Sequence, residues 1–202
     1  SLREYKEKFE AVIENIKAGK TYILNLTQAT KIQTKLTLKE IYQLSNAPYK
    51  LRYKDKFVCF SPEKFVQLQN DRIHTYPMKG TIDASIENAK EKILADKKEI
   101  AEHVMVVDLL RNDLSIVAQN VTVEEFRYIT NIEAGDKHLL QVSSHISGLV
   151  SQTWHERVGD ILSALLPPGS ISGAPKKSTL EIIEKMEGYE RGFYSGVFGY
   201  YD

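Results

Sequence analysis

Residues 65–81, FVQLQNDRIHTYPMKGT, hold two short strand-like segments joined by a tight turn. Asn70 and Asp71 separate residues 65–68 from residues 72–75, and both residue types tolerate the backbone that hairpin turns require. Several other strand-like segments of the chain are also joined by short turns, which favours antiparallel pairing. The sequence therefore predicts an α+β fold in which helices pack on antiparallel sheets.

The rest of the chain mixes helical and strand periodicities without strict βαβ alternation. Apolar residues at helical spacing, with capping residues and glycine stops, predict helices over about residues 2–16, 37–46, 85–94, 96–112, 157–165 and 175–187. Thr37 with Glu40, and Asp96, have the types and spacing of N-terminal caps. Runs of β-branched and aromatic residues predict strands over about residues 22–32, 49–76 (three or more strands), 115–118, 121–130, 139–150 and 193–201.

Composition narrows the class of protein. The 202 residues carry 27 Lys and Arg against 27 Asp and Glu, so the net charge is zero. That balance argues against a nucleic-acid-binding or anionic-membrane-binding protein. The chain has one cysteine, no signal-like N-terminus and no apolar run long enough to cross a bilayer, so we expect one cytoplasmic domain without disulfides.

Lys79 is the first candidate for chemistry. It lies between Pro77, which restricts the backbone, and Gly80, which relieves it of side-chain sterics, in what the pattern predicts is a loop after a strand. A lysine aimed into a partly dry site can act as an amine nucleophile. The alternative interpretation is an ordinary lysine on a turn.

Glu99 and Glu102 are a candidate metal site. They are three residues apart on a predicted helix and therefore share a face. Two carboxylates on one face suit Mg²⁺, which prefers oxygen ligands and keeps several waters. Alternatively, Glu99 completes a capping box with Asp96, and Glu102 lies on a solvated face.

Residues 168–176, PGSISGAPK, are a candidate anion site, because glycines and serines run directly into a helix N-terminus. The alternative is a plain helix entry with Ser172 as the cap. The charges of residues 108–114 are interpreted as structural, and none of the five histidines has the spacing of a metal ligand.

Taken together, these motifs resemble those of the chorismate-utilising enzymes, namely the large subunits of anthranilate and aminodeoxychorismate synthases and the related isochorismate and salicylate synthases. The resemblance runs through the whole chain in order and rests on residues 22–27, 61–63, 77–81, 101–113, 169–176 and 191–200.

Two positions sort this chain within the family. The position of Lys79 is alanine in anthranilate and isochorismate synthases but lysine in aminodeoxychorismate (para-aminobenzoate) synthases. The lysine that activates water in isochorismate and salicylate synthases corresponds to Ile23, which cannot take a proton. The resemblance is therefore closest to component I of aminodeoxychorismate synthase.

The resemblance implies antiparallel sheets packed face to face and flanked by helices. It also implies a mechanism: Mg²⁺, held by Glu102 with Glu99 nearby, binds the ring carboxylate of chorismate, Lys79 adds at C2, and ammonia from a glutamine amidotransferase subunit replaces Lys79 by attack at C4. The resemblance also implies that Glu63 and Thr81 lie near the ring and that the substrate-binding turn contains Ser170, Ser172 and Gly173. Gln141 matches a catalytic position at which many members have a histidine.

The resemblance further implies that residues 1–202 are a C-terminally incomplete chorismate-binding catalytic domain. The family continues with a helix that carries a second pair of metal-binding glutamates, so we expect this chain alone to be inactive or badly impaired. The alternatives are anthranilate synthase component I, which Lys79 disfavours, and a non-catalytic chorismate-binding subunit.

Overall fold

The computed structural model describes residues 2–60, 63–134 and 137–202, which divide into two units. The first unit comprises residues 1–27 and 65–202, and the second comprises Gln28–Lys64. The sequence, which has no Gly-, Pro- or Ser-rich linker, did not signal this division.

The second unit is a small hairpin with one helix. Helix α2 (Leu38–Leu44) begins with the predicted capping box, in which Thr37 and Glu40 bond each other's backbone N–H. Strands β2 (Lys50–Tyr53) and β3 (Phe57–Phe60) pair antiparallel.

The first unit is built around a five-stranded antiparallel sheet. Its elements, in chain order, are α1 (Leu2–Lys17), β1 (Ile23–Leu24), β4 (Gln67–Gln69), β5 (Arg72–Thr75), β6 (Met78–Asp83), α3 (Ala89–Ala95), α4 (Lys97–Leu114), β7 (Gln119–Ala134), β8 (Lys137–Leu149), a 3₁₀ turn (Trp154–Arg157), α5 (Val158–Leu165), α6 (Gly169–Ser172), β9 (Gly173–Ala174) and α7 (Lys176–Glu187). Antiparallel sheets flanked by helices confirm the predicted fold class. The face-to-face packing of two sheets stays a prediction.

Strand β8 organises the large sheet. Strand β7 pairs along one side of β8. On the other side, β6 pairs with residues 139–143 of β8 and β5 pairs with residues 146–149. The turn between β4 and β5 is the predicted one, with Asn70 at φ 49° and Asp71 at φ 57°. These left-handed values are those of a hairpin turn that follows the twist of the sheet.

A register shift interrupts β6 where it carries the candidate lysine. Met78 pairs with Ser143, but Thr81 pairs with Gln141, so Lys79 and Gly80 together face one residue of β8. Such a two-against-one arrangement is a β-bulge, which changes the direction of a side chain. The prediction that Lys79 lies in a loop is therefore wrong.

Helix α4 covers one face of the sheet. Its apolar residues meet Ile73 of β5 and Ile146 of β8 in a core that includes Val106, Val107, Leu110 and Leu114. The predicted long helix capped by Asp96 is confirmed, since the Asp96 carboxylate accepts the N–H groups of Lys98 and Glu99. The helix is buried on one face only, because Val104 and Met105 are exposed.

Some predicted strands do not form. Residues 22–32 contain only β1, because its partner β9 is two residues long. Residues 115–118 continue α4 as a turn, and residues 193–201 pair with no strand among the described residues. Apolar and aromatic composition alone does not make a strand, since the backbone groups also need an edge to pair with.

The start of α3 differs from the prediction by a few residues, at Ala89 rather than near Ser85. Helix α7 ends before Gly188, as predicted, and Gly188 has a left-handed φ of 70°. Within residues 2–60, 63–134 and 137–202, no helix has the length and apolarity that crossing a membrane requires.

Candidate active site

The N-terminal turn of α4 meets the bulge of β6, and this contact brings three of the predicted residues together. Lys79 Nζ lies 3.4 Å from Glu102 Oε2, and Lys98 Nζ lies 3.4 Å from Glu102 Oε1. The side chains of Lys79 and Glu102 are 41% and 35% exposed, so the pair remains accessible from solvent. Glu102 is therefore not on a merely solvated helix face.

Gly80 allows Glu99 to approach the same strand. Its φ is 94°, and a Cβ added to it would lie 2.9 Å from Glu99 Oε2. Glu99 gives only its backbone N–H to the Asp96 cap, while its carboxylate lies against the bulge. Glu99 and Glu102 thus both face β6 beside Lys79.

His103 is a site residue that the sequence interpretation missed. It is fully buried, its Nδ1 lies 3.3 Å from the carbonyl oxygen of Lys79, and its Nε2 lies 2.7 Å from Ser144 Oγ. Burial lowers the pKa of His103, although the Lys79 carbonyl partly opposes that effect. A signal was present in the sequence, since His103 is a polar residue on a helix face continued by Val106, Val107 and Leu110.

Thr81 and Gln141 are paired with each other. They are directly opposite across β6 and β8, so their side chains share one face of the sheet. Thr81 is exposed, whereas Gln141 Oε1 is buried and has no hydrogen-bond donor among the described residues. Both roles at the site stay predictions.

The turn predicted to bind an anion lies at the other end of α4. Asp113 and Glu102 are eleven residues apart on this helix, which is about 16 Å. Asp113 Oδ2 accepts the N–H of Gly169 at 3.0 Å, and Asp113 Oδ1 lies 3.5 Å from Lys176 Nζ. The backbone N–H of Gly169, one of the donors of this turn, is therefore already bonded to a carboxylate of the protein itself.

The three substrate-binding candidates of the turn differ in their availability. Ser172 is buried and donates to the Pro168 carbonyl, while Ser170 is exposed. A Cβ at Gly173 would lie 2.0 Å from the Ile23 carbonyl oxygen, so this glycine is required for the close pairing of β9 with β1. The alternative of Ser172 as the helix cap is wrong, because the N-cap of α7 is Pro175.

Glu63 belongs to the second unit, where it is exposed, and its position near the ring stays a prediction. Asp108 and Arg111 pair with each other at 3.3 Å, as the structural interpretation of residues 108–114 expected. His74 and His145 contact each other at 3.0 Å, between Nδ1 and Nε2.

The donor set near Lys79 fits a magnesium ion only in part. No group of three or more His, Cys, Asp or Glu side chains within residues 2–60, 63–134 and 137–202 is arranged to hold a metal. Glu99 and Glu102 nevertheless offer carboxylates that converge on one bulge, and Mg²⁺ is commonly held by one or two carboxylates together with substrate and water.

Comparison with known proteins identifies the family. A family model described as "chorismate binding enzyme" matches residues 1–202. The chain belongs to this family. Its solved relatives include anthranilate synthase component I from Streptococcus pneumoniae, which is 24% identical and superposes with a TM-score of 0.73 over 95% of this chain and 44% of that one.

Curated relatives of this family member bear different names. An uncharacterized PabA-like protein from Haemophilus influenzae is 48% identical, covering 98% of this chain and 60% of the relative. Aminodeoxychorismate synthase component 1 from Bacillus subtilis is 33% identical (98% and 44%), and anthranilate synthase component 1 from Methanothermobacter thermautotrophicus is 34% identical (99% and 45%). The chain thus spans between 44% and 60% of the length of each of these relatives.

Proposed function

We propose that the protein containing this chain is component I of aminodeoxychorismate synthase, which converts chorismate and ammonia to 4-amino-4-deoxychorismate. The observation that carries the proposal is Lys79 on a β-bulge, with its amine 3.4 Å from Glu102 and with Glu99 against the adjacent glycine. A bulge is a device for aiming a side chain, and the residue it aims here is a nucleophile.

Lys79 acts on the ring in two steps. Its unprotonated amine forms a bond to C2, the two ring double bonds shift, and the C4–O bond breaks; the proton that the newly bonded nitrogen loses goes with the hydroxyl, which leaves as water. Ammonia then forms a bond to C4, the double bonds shift back, and the C2–Nζ bond breaks; the proton that the new C4 nitrogen loses returns to Nζ. Covalent catalysis of this kind replaces one difficult substitution by two easier ones.

Glu102 holds the lysine before substrate arrives. Its carboxylate also contacts Lys98, so it lies between the amino groups of two lysines, which orient it. Glu99 and Glu102 are the residues that would hold Mg²⁺. When bound, this ion would supply charge stabilisation for the ring carboxylate.

Ammonia requires a second protein in this proposal. We expect a glutamine amidotransferase subunit to deliver it, so the component by itself uses ammonium salts but not glutamine. Ser170, Gly173 and Thr81 remain candidates for substrate contact. The Gln141 side chain is able to accept a hydrogen bond from a substrate group but, unlike a histidine, does not shuttle protons near neutral pH.

The first experiment identifies the product. The full-length natural protein is incubated with chorismate, Mg²⁺ and ammonium, and the products are separated by chromatography with mass detection. We expect aminodeoxychorismate. Anthranilate would instead support the activity named for the archaeal relative, and binding of chorismate without turnover would support a non-catalytic subunit.

The second experiment tests the covalent role of Lys79 against a matched lysine. Lys98 contacts the same carboxylate at the same distance, but it lies on the helix and is 77% exposed. Lys79→Ala is expected to abolish both amination and the mass increase of a trapped chorismate adduct, whereas Lys98→Ala should retain both. Unchanged product formation in Lys79→Ala refutes the proposed nucleophile.

A further inference from the structure

The imidazole of His103 joins α4 to the bulge that carries Lys79. His103 is fully buried, and its Nδ1 lies 3.3 Å from the carbonyl oxygen of Lys79. The register shift makes Lys79 part of the bulge, where regular ladder pairing is interrupted. A side-chain donor on the neighbouring helix therefore bonds the backbone of the residue whose amine is proposed to react.

The Lys79 carbonyl determines which nitrogen of His103 donates. A carbonyl oxygen can only accept, so the nitrogen that faces it at 3.3 Å, Nδ1, carries the proton. Ser144 Oγ then donates to the unprotonated Nε2 at 2.7 Å and accepts the backbone N–H of Arg127 at 2.9 Å. With the Nδ1–H tautomer, every donor in this series of hydrogen bonds has an acceptor.

A register shift between β7 and β8 lies at the same place. Arg127 has a left-handed φ of 56°, within a stretch of β7 where the register against β8 shifts between Glu125 and Tyr128. The backbone N–H of Ser144 also donates to the Pro77 carbonyl at 2.9 Å, just before the Lys79 bulge. Ser144 therefore contacts both strands as well as the helix.

We propose that His103 is a positioning residue, which fixes the bulge of β6 through the chain Arg127 N–H, Ser144 hydroxyl, imidazole and Lys79 carbonyl, and thereby aims the Lys79 amine. The catalytic part of this inference rests on the proposed function. The geometric part, that His103 holds Lys79 in its orientation, does not.

Space filling does not explain this histidine. The next residues on the same face of α4, Val106, Val107 and Leu110, show that this part of the helix–sheet interface accepts apolar side chains. A buried imidazole is tolerated only when its nitrogens are bonded. Here one of the two bonds goes to the backbone of the residue proposed to react.

The test compares variants that break this chain of bonds with variants that do not. His103→Leu removes both bonds of the ring, while His103→Asn keeps an amide donor near the position of Nδ1. Ser144→Ala removes the partner of Nε2. Ser143→Ala is the matched control, because Ser143 is the adjacent buried serine of β8, and its hydroxyl bonds Thr130 instead, at 3.0 Å.

The first readout does not depend on turnover. Full-length protein without substrate is treated with an amine-directed reagent, and the labelling rates of Lys79 and Lys98 are compared by peptide mapping. We expect their ratio to change in His103→Leu and Ser144→Ala, to stay at the wild-type value in Ser143→Ala, and to return toward it in His103→Asn. An unchanged ratio in Ser144→Ala overturns the proposal, even where His103→Leu fails to fold.

Nitrogen NMR of histidine-labelled protein supplies an independent check. The proposal requires the Nδ1–H tautomer for His103, and an Nε2–H tautomer overturns it. The labelling ratio and the His103 tautomer remain decisive even if the protein does not aminate chorismate. Failure of the positioning role and failure of the proposed function are therefore distinguishable.

The second readout applies to the amination reaction. Misplacement of a reacting group by about 1 Å can cost on the order of a hundredfold in rate, so we expect kcat to fall between about tenfold and a hundredfold in Ser144→Ala. KM for chorismate should change little, because the substrate contacts are intact. A rise in KM with unchanged kcat would contradict a role in aiming Lys79.

Discussion

Glu187 and Arg191 form a buried ion pair next to the 169–172 turn, and Glu187→Gln is expected to lower the free energy of unfolding markedly. The Glu187 side chain is 1% exposed. Its carboxylate accepts the N–H and hydroxyl of Thr27, both at 2.7 Å, and the Nε and Nη2 of Arg191 at 2.9 and 2.7 Å. Glutamine keeps the shape but presents an NH₂ group to some of these donors.

The size of this loss of stability depends on the contacts that Arg191 keeps after the substitution. Removing one partner of a buried ion pair costs about 3–5 kcal/mol, because the other charge is left uncompensated. Arg191 would still donate to the carbonyls of Asn25 at 2.7 Å and Ile171 at 3.4 Å. We therefore expect the lower end of the range, about 3 kcal/mol, or roughly a hundredfold in the unfolding equilibrium constant.

The pH dependence of this effect has a defined sign. Burial raises the pKa of Glu187, but the hydrogen bonds from Arg191 and Thr27 outweigh burial and lower the pKa overall. A carboxyl with a lowered folded-state pKa stabilises the protein above its unfolded value, about 4.3, and loses that contribution as the pH falls through the folded value. The difference in stability between wild type and Glu187→Gln should therefore narrow below about pH 4.

Urea unfolding of the full-length protein at several pH values measures the loss of stability and its pH dependence. The slope of the unfolding free energy against urea concentration should stay the same in all variants. The matched control is Glu7→Gln, because Arg3 Nε and Glu7 Oε1 form a pair with the same four-residue spacing at 3.1 Å, but with side chains 89% and 63% exposed. This control should lose less than about 0.5 kcal/mol. Equal losses in the two variants at pH 7 would refute the argument from burial.

Two further predictions concern Gly80, next to Lys79, and Asp113, at the other end of α4. Gly80→Ala should cost about 1–3 kcal/mol through its positive φ and should also displace Glu99, so that the labelling rate of Lys79 changes. Gly188→Ala, at φ 70° with no atom within 4 Å of the added Cβ, should cost stability without changing that rate. Asp113→Ala should lower the free energy of unfolding by about 1–3 kcal/mol and speed amide hydrogen exchange at Gly169, because the Gly169 N–H loses its acceptor. Asp113→Asn keeps an acceptor and should therefore lose less stability. Equal exchange rates at Gly169 in the two variants would contradict the assigned contact.

Local patterns in the sequence were sufficient for most helices and for the hairpin. The Thr37 capping box, the Asp96 cap and the Gly188 stop all act within a few residues of the chain, so they can be read without tertiary information. The Asn70-Asp71 turn likewise depends on its own backbone preferences. The strand predicted over residues 193–201 was wrong because pairing depends on a partner elsewhere.

The candidate site shows the same division. Residue types and order in the sequence singled out Lys79, Glu99 and Glu102, and membership of the chorismate binding enzyme family agrees with that order of motifs. Only the tertiary structure revealed that Lys79 lies on a bulge, that Gly80 admits Glu99, and that His103 bonds the Lys79 backbone. The physical reason is range: caps and turns are decided by neighbouring residues, whereas a register shift, and the buried donor that satisfies it, exist only once β6, β8 and α4 have packed together.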